Sequence, residues 1–462
     1  MEGRRATTVK EVRRYFQTKP LTIEELDEYY APTLQARTVD PVTTRLEADV
    51  RDFLEQGMRF QILFAGYRGC GKSTELKMLE KKIQDDYQVF NFSVQEKLDP
   101  MSMHYIELFI AIMDVLFEWI EENDIGKYIN REFIDLIRNW SASSEVKTLR
   151  ETHTSLEAEA GAGTDIKWFV SLFAKLRMAA KSSRSMKETI TQNIEPKLSE
   201  LLFLCDALVR EVENYLREHT NKDGIVIIVE DLDKVLLERA TDLFYNHVEQ
   251  LVELNANIIY TFPLPLVYNI YYTRIKNAFT DCIVLPMIKV TNKDGSPNPQ
   301  GRAAMKDIVR RRMDLALFEE ETLLDQMIFY SGGCIRDLFL MIQEAAMSAR
   351  LNDAESIGPR EYKRAYQVLK TDYDRTIADK VDPQSGNVLI RAKEYYDALV
   401  KLAESPDKQV APSSELMDLR QNLTVVGYNG EEWCDVHPIM KDILHDRGLL
   451  PSAKSADDSA DG

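Results

Sequence analysis

Several short runs of consecutive apolar residues recur along the chain, each bounded by polar or turn-forming residues. They are "RFQILFAG", "YQVFNFSVQ", "GIVIIVEDLDK", "NANIIYTFPLPL" and "DCIVLPMIKV". Runs rich in β-branched and aromatic residues are typical of strands buried on both faces of a parallel sheet. Between them, apolar residues recur at helical spacing, which predicts crossover helices. The pattern therefore predicts an α/β fold, in which four or five parallel strands form the middle of three layers.

The same pattern divides the 462 residues into segments. We expect a helical leader and a proline-containing linker at 1–40, an α/β core at 41–300 with a helical insertion at about 101–220, an all-helical lid at 301–384, a small domain at 385–450 and a disordered tail at 451–462. The small domain has the order helix, helix, hairpin, helix, with Asn429 and Gly430 at the hairpin turn. This order resembles a winged helix.

Composition narrows the classes of protein. An apolar fraction of 44% with 29% charged residues is typical of a globular chain, and no run of about 18 apolar residues predicts a membrane span. The net charge of −18 argues against nucleic-acid binding over the surface as a whole, because such binding usually requires an excess of basic residues. Positive residues do cluster near the start and at 167–187. The five cysteines are scattered and form no CxxC pair, which argues against a zinc site or a disulfide framework. We expect a cytoplasmic protein.

The stretch "GYRGCGKST" carries the most specific motif of the chain. Its spacing is G-x-x-x-x-G-K-[ST], and it lies between a predicted strand and a predicted helix. Such a loop curls so that backbone N–H groups and the following helix N-terminus face phosphate oxygens. We expect Lys72 to reach the β- and γ-phosphates of ATP and the Ser73 hydroxyl to bind Mg²⁺. The predicted nucleotide-binding residues are Gly66, Tyr67, Arg68, Gly69, Cys70, Gly71, Lys72, Ser73 and Thr74.

Three acids follow the buried run "GIVIIV" at a predicted strand end: Glu230, Asp231 and Asp233. Hydrolysis of a nucleotide needs an acid for Mg²⁺ and a group that orients water. Strand alternation points Glu230 and Asp231 in different directions, so one can serve each task. We favour Glu230 with Ser73 for the metal and Asp231 for the water. Their assignment stays open, because the more usual order places Asp first.

Together these motifs resemble the additional-strand P-loop ATPases, specifically the AAA+ class and its STAND relatives. The resemblance rests on "GYRGCGKS", "IVIIVED", "IIYTF" and "SGGCIRDL", and it extends over about residues 40–450. It implies that Thr261 is a first sensor of the γ-phosphate and that Arg336, at the start of a lid helix, is a second. The implied catalytic set is therefore Asp231, Glu230, Lys72, Thr261 and Arg336. A winged helix after the lid also fits those relatives.

Other P-loop classes fit less well. "YSGGC" resembles the ABC signature, but it follows the acidic strand instead of preceding it. "TNKDG" at 220–224 and at 291–295 lacks the last Asp of the guanine motif N-K-x-D. A small-molecule kinase rarely carries a lid, sensors and a winged helix together. A ring would need an arginine finger, for which the candidates are Arg274, Arg310, Arg311 and Arg312. A ring motor and a switch both stay open.

The insertion contains one helix that mixes apolar and basic residues. Its members are Trp168, Phe169, Phe173 and Met178 beside Lys167, Lys175, Arg177, Lys181 and Arg184. This pattern has several alternative interpretations. The helix could dock a protein, or it could contact anionic lipid or nucleic acid. It could also face the core, with the aliphatic parts of its basic side chains along the edge of the buried face. His104 and His437 lack a nearby acid and nucleophile pattern, so we interpret both as structural. No metal cluster or second catalytic centre emerges.

The sequence thus predicts a P-loop ATPase that binds Mg-ATP and hydrolyses it to ADP and phosphate, as a switch or assembly factor. The resemblance makes a setting in prokaryotic signalling or antiviral defence plausible. The insertion and the winged helix are the expected sites of a protein partner or of self-assembly. Two alternatives remain: an oligomeric scaffold gated by nucleotide with little hydrolysis, and a remodeller or loader stimulated by nucleic acid.

Overall fold

A parallel five-stranded sheet forms the centre of the first half of the chain. The computed structural model describes residues 4–38, 42–141, 164–182, 194–382, 385–409, 411–428 and 433–451. The strands are β1 (Gln61–Gly66), β2 (Tyr87–Ser93), β3 (Gly224–Glu230), β4 (Ile258–Phe262) and β5 (Asp281–Leu285), in the spatial order β2-β3-β4-β1-β5. All of its pairings are parallel. The predicted α/β fold is confirmed, with five strands.

The strand order decides where the functional groups meet. Every residue of β1, β3 and β4 is buried, which accounts for their apolar runs. Strand β4 lies between β3 and β1, so the end of β3 is one strand away from the loop that follows β1. Because parallel strands end at the same edge, the segments that follow β1 and β3 border one crevice.

Helices precede, connect and follow the strands of this sheet. In the first half they are Val12–Tyr15, Ile23–Tyr29, Val42–Glu55, Lys72–Ile83, Val94–Lys97, Tyr105–Glu122, Arg131–Ser141, Thr164–Ser182, Leu198–His219, Leu237–Thr241, Val248–Glu253, Leu264–Val267 and Tyr272–Ala278. A π-helical turn, Asp242–Asn246, precedes Val248–Glu253. No helix in the described part of the chain is long and apolar enough to span a membrane.

The predicted insertion is helical over its described residues and packs on the core. Phe169 and Phe173 of the helix Thr164–Ser182 are fully buried, and their rings lie 5.6 and 5.3 Å from that of Phe117. Arg177 on the same helix pairs with the buried Asp114 at 2.8 Å, whereas Met178 is exposed. This helix therefore faces the core, as one of our alternatives predicted. Arg184 and the side chain of Lys181 lie outside the described residues.

The second half is helical, as expected for a lid. Its helices are Pro299–Arg310, Glu321–Tyr330, Ile335–Leu351, Pro359–Asp374, Ala392–Glu404, Ser414–Gln421 and Pro438–Asp446, with an antiparallel pair β6 (Lys380–Val381) and β7 (Val388–Ile390). Strands β8 (Val425–Tyr428) and β9 (Trp433–Val436) pair antiparallel and complete the predicted order helix, helix, hairpin, helix. The predicted turn residues Asn429 and Gly430, and the tail from 452, lie outside the described residues.

The N-terminal segment belongs to the hydrophobic core of this second half. Ala6, Val12 and Phe16 are fully buried, and the ring of Phe16 meets that of Phe339 edge to face at 5.0 Å. The Ala6 N–H donates to the carbonyl oxygen of Arg312 at 2.8 Å. Residues from this segment therefore pack beside the helices of the second half.

Candidate functional site

The glycine loop lies between β1 and the helix Lys72–Ile83, as the spacing predicts. Gly69 has φ +76° and Gly71 has φ +106°, conformations in which an L side chain would be strained. Gly71 is the N-cap of the helix, so the first N–H groups of that helix face the crevice. These free donors and the helix dipole make the loop a binding site for an anion.

Lys72 is buried beneath this loop. Its Nζ donates to the carbonyl oxygens of Gly66 at 2.8 Å and Tyr67 at 2.9 Å, and it forms an ion pair with Asp233 Oδ2 at 3.0 Å. Burial opposes its charge, but the Asp233 carboxylate outweighs burial, so the pKa of Lys72 lies above its ordinary value. Asp233, the third acid after β3 and the one for which we predicted no role, is thus the partner of the loop lysine.

Glu230 ends β3 and is buried beside the first turn of the loop helix. Ser73 and Asn91 are its polar neighbours, and Asn91 Nδ2 itself donates to Glu80 Oε2 at 2.9 Å. Burial raises the pKa of Glu230, although the neighbouring Ser73 and Asn91 side chains oppose the shift. The two residues that we predicted for Mg²⁺, Ser73 and Glu230, therefore lie side by side.

Asp231 points in another direction because the backbone turns sharply after β3. Its φ is +70°, which is uncommon for a residue other than glycine. The carboxylate accepts a hydrogen bond of 2.6 Å from Ser93 Oγ and pairs with Lys234 Nζ at 2.5 Å. It also lines the crevice with Lys72 and Ser73. The carboxylates that line the crevice are thus those of Glu75, Asp231 and Asp233, whereas Glu230 is buried at the end of β3.

Thr261 lies on β4, the strand that pairs with β3, and it is not among the residues that line the crevice. Its Oγ1 accepts from the Leu232 N–H at 3.0 Å and lies 3.2 Å from the Val229 carbonyl oxygen. The residue is fully buried. The hydroxyl therefore supports the backbone on both sides of the turn that carries Glu230 and Asp231.

Arg336 lies directly on the glycine loop. Its backbone N–H donates to the Gly69 carbonyl oxygen at 3.3 Å, and its half-buried side chain lines the crevice. The neighbouring Cys334 Sγ lies 3.6 Å from the carbonyl oxygen of Arg68. Among the residues that the structure describes, no acid lies within ion-pair distance of the Arg336 guanidinium. The predicted second sensor thus contacts the loop and presents its charge to the crevice.

The remaining predicted loop residues divide between the wall and the interior. Arg68 is exposed, and Arg68 and Thr74 both line the crevice. Cys70 is buried, and its carbonyl oxygen accepts a hydrogen bond of 2.6 Å from Arg37 Nη2. Tyr67 is also buried and faces the C-terminal domain. The structure therefore brings all nine predicted loop residues to one place, but it gives them different environments.

Sequence reasoning missed the N-terminal wall of the crevice. Residues 17–21, Tyr29 and Tyr30 line it, together with the fully buried Arg37. Besides Cys70, Arg37 contacts the Pro286 carbonyl oxygen at 2.5 Å, after β5. Arg37 therefore ties the N-terminal segment to the loop and to the end of the sheet. No motif around Arg37 predicts these contacts, because its partners are backbone carbonyl oxygens that are distant in sequence.

The C-terminal domain also contacts the glycine loop. Arg420 on the helix Ser414–Gln421 donates from Nη1 to Tyr67 Oη at 3.1 Å, and its guanidinium lies 3.6 Å from the ring centroid of Tyr268. Tyr428 Oη donates to the carbonyl oxygen of Gly332 at 2.9 Å, just before the lid helix. These contacts link the loop, the lid and the C-terminal domain.

The four arginine-finger candidates have different surroundings. Arg274 is exposed beside Tyr245 and Glu249, and Arg310 and Arg311 pair with Asp307 of their own helix. Arg312 is buried in the crevice wall, where it donates to Tyr29 O at 3.0 Å and Ile308 O at 2.9 Å. Burial lowers the pKa of Arg312 to about 10. Arg312 therefore serves its own chain, and Arg274, Arg310 and Arg311 remain candidates.

No family model and no curated protein matches the chain. Among solved structures, it is similar to Cdc6p from Pyrobaculum aerophilum, with 11% identity, a TM-score of 0.39 and coverage of 95% of this chain and 99% of that chain. The ORC1 protein of Aeropyrum pernix in complex with DNA has 13% identity, a TM-score of 0.38 and coverage of 93% and 98%. A Walker-type ATPase of Pyrococcus abyssi has 13% identity, a TM-score of 0.40 and coverage of 93% and 99%. TM-scores this low carry no conclusion about activity or partners.

Proposed function

We propose that this protein binds Mg-ATP in the crevice and hydrolyses it, and that the nucleotide state governs how the lid and C-terminal domain engage a partner. The observation that carries the proposal is the convergence of Lys72, Ser73, Glu230 and Asp231 at the carboxyl edge of the sheet. A helix N-terminus, a buried ammonium, a hydroxyl and two carboxylates match the needs of phosphoryl transfer to water.

Each residue has a separate task in this proposal. The loop N–H groups and the Lys72 ammonium hold the phosphates, because both are fixed donors for anionic oxygens. Ser73 and Glu230 supply oxygen ligands of the kind that Mg²⁺ prefers, and the bound ion would neutralise phosphate charge. Asp231, held by Ser93 and Lys234, accepts a proton from the attacking water. Thr261 acts indirectly by fixing the turn between the two acids.

The contacts of the glycine loop couple the nucleotide state to the lid and the C-terminal domain in this proposal. Arg336 contacts Gly69 on the lid side, and Arg420 contacts Tyr67 on the side of the C-terminal domain. A γ-phosphate attracts the Arg336 guanidinium, because a guanidinium stays charged and binds phosphate oxygens as a fork. Contacts made with ATP and absent with ADP bias the arrangement of these helices. We infer an AAA+- or STAND-like switch, in which a winged helix responds to the loop.

Asp231→Asn tests the catalytic part of the proposal. The amide keeps the shape of the side chain but cannot accept the proton, so we expect phosphate release to fall by about 100-fold or more. Binding of a fluorescent ATP analogue should stay within about threefold of wild type, since the phosphate contacts remain. Asp294→Asn, at an exposed loop acid that bonds only locally to Ser296, is the matched control. Unchanged turnover in Asp231→Asn would refute the assignment.

A nucleotide-gated scaffold is the second candidate. It is favoured by one observation: Asp231 is already engaged by Ser93 and Lys234, so it must exchange partners before it can act on water. In that case Asp231→Asn retains the biological function and wild-type turnover is already minimal.

Turnover per chain measured over a wide range of protein concentrations separates a ring, whose specific rate rises, from a switch, whose rate stays flat. Adding DNA or RNA to the same assay tests the remodeller alternative. Prokaryotic signalling or antiviral defence is the setting that we propose from the family resemblance alone.

A further inference from the structure

A group of metal-ligating side chains lies outside the nucleotide crevice. His104, Glu195 and His247 each place one ligand atom so that all three lie within 4.8 Å of one another. They come from three separate segments: the start of the helix Tyr105–Glu122, the short turn before Leu198–His219, and the residue after the π-helical turn. The chain therefore brings together two imidazoles and a carboxylate that are more than 50 residues apart in sequence.

His247 is oriented in the way that metal-ligating histidines usually are. Its Nδ1 lies 3.1 Å from the Asp242 carbonyl oxygen, an acceptor that requires a proton on Nδ1. This tautomer leaves a lone pair on Nε2. The ring is stacked on Tyr105, with centroids 4.0 Å apart and planes inclined by 20°. A carbonyl acceptor and a stacked ring thus fix both the proton and the plane of this imidazole.

His104 supplies a second nitrogen. Its Nδ1 is buried and has no hydrogen-bond partner among the described residues, although a buried polar atom is costly without one. The centroids of the two imidazoles lie 5.7 Å apart. A metal ion at this place would satisfy the buried nitrogen, because imidazole nitrogens are common ligands of Zn²⁺.

Glu195 completes the group from the solvent side. It is exposed, and its Oε1 accepts a hydrogen bond of 3.4 Å from Tyr105 Oη, whose ring also stacks on His247. Ligand atoms of a tetrahedral zinc ion lie about 3.3 Å apart, given Zn–N distances of about 2.0 Å. Because Glu195 is exposed, its side chain can change rotamer to shorten the spacing from 4.8 Å toward this value. The side open to solvent leaves room for a water as the fourth ligand.

We propose that His104, His247 and Glu195 bind one divalent transition-metal ion of the Zn²⁺ class. Two imidazoles and one carboxylate suit Zn²⁺, Co²⁺ and Ni²⁺ and disfavour Mg²⁺, which prefers oxygen ligands. The ion ties residue 247, which follows the acidic strand, to residues 104 and 195 at the borders of the helical insertion. It is distinct from the Mg²⁺ of the nucleotide crevice and does not depend on the function proposed there.

The test uses the full chain, purified without a polyhistidine tag and stripped with a chelator. Zinc affinity is measured by competition with a chromophoric chelator, and a Co²⁺ absorption spectrum reports the geometry of the site. We expect one Zn²⁺ per chain, bound in the presence of excess Mg²⁺. His247→Ala and His104→Ala should each weaken zinc binding by roughly 100-fold, and Glu195→Gln by about tenfold.

His219→Ala is the matched control, because His219 is exposed at the end of the helix Leu198–His219 and stacks on Tyr215. We expect it to bind zinc as wild type does. Glu195→Gln changes an exposed side chain, so it keeps the test valid if a histidine variant fails to fold. The proposal is overturned if the wild type binds no zinc at equimolar concentration, or if Glu195→Gln and His247→Ala both retain wild-type affinity.

Discussion

Replacing Gly69 with alanine is the perturbation that the geometry of the loop defines most sharply. A Cβ at this position would lie 2.6 Å from Arg336 Cβ and 3.0 Å from Cys334 Sγ. The first distance is about 0.8 Å short of ordinary van der Waals contact. A Cβ atom is not the far end of a flexible side chain, so the start of the helix Ile335–Leu351 must move away from the loop.

Gly57 provides the matched control. It has φ +67°, close to the +76° of Gly69, but a Cβ there would meet nothing within 4 Å. Both alanine variants pay the left-handed backbone cost of about 1–2 kcal/mol. Only Gly69→Ala adds the overpacking cost, which is typically about 1–3 kcal/mol. The difference between the two variants therefore isolates the contact between loop and lid.

The assay is binding of a fluorescent ATP analogue, with thermal unfolding as the companion measurement. We expect Gly57→Ala to bind like wild type and to show a slightly lower unfolding midpoint. Gly69→Ala should unfold at a lower temperature still and bind about tenfold or more weakly, since 1.4 kcal/mol is a factor of ten. If Gly69→Ala binds the nucleotide as tightly as Gly57→Ala, the lid does not set the shape of the loop and the reasoning is refuted.

Two further predictions concern buried charges. Asp114→Ala removes the buried carboxylate that Arg177 and Lys97 share and leaves them only the half-exposed Glu118. We therefore expect a loss of about 1–3 kcal/mol, seen as a lower urea midpoint; wild-type stability would contradict this. Burial raises the pKa of Asp337 to about 6, so its ionisation costs stability as the pH rises from about 4 to 6, by roughly 3 kcal/mol at most. Burial lowers the pKa of the nearby His437 from 6.5 to about 4, so that residue costs stability as the pH falls from about 6.5 to about 4. Asp337→Asn should therefore raise the midpoint temperature of unfolding more at pH 8 than at pH 5. An equal rise at both pH values would show that the ionisation of Asp337 does not affect stability between them.

Much of the core was predictable because its signals are local. A strand buried on both faces needs an uninterrupted apolar run, and a phosphate loop needs glycines at fixed offsets. The placement of Ser73 beside Glu230 also followed, since parallel strands end at one edge. The direction of Asp231 was predicted from strand alternation, but the positive φ of that residue sets it in the structure.

Contacts between distant segments could not be predicted in the same way. Arg420 and Tyr67 are 353 residues apart. Arg37 donates to backbone carbonyl oxygens, which every residue has, so the residue types of its partners give no signal in the sequence. No ligand motif surrounds His104 in sequence, and Glu195 and His247 reach it only through the folding of three segments. Thr261 matched a family position, but its hydroxyl is directed to the backbone by the register of β3 and β4. Tertiary packing decides such features.

The most direct test of the central claim is calorimetric titration of ATP with Mg²⁺ into the wild type and into Lys72→Ala. Lys82→Ala, on the same helix but paired with the distant Glu47, is the control. We predict one ATP per wild-type chain, control binding unchanged, and Lys72→Ala weaker by about 10- to 100-fold, because a charged hydrogen bond contributes about 1.5–3 kcal/mol. If Lys72→Ala binds ATP as tightly as wild type, or if the wild type binds none, the crevice is not a nucleotide site.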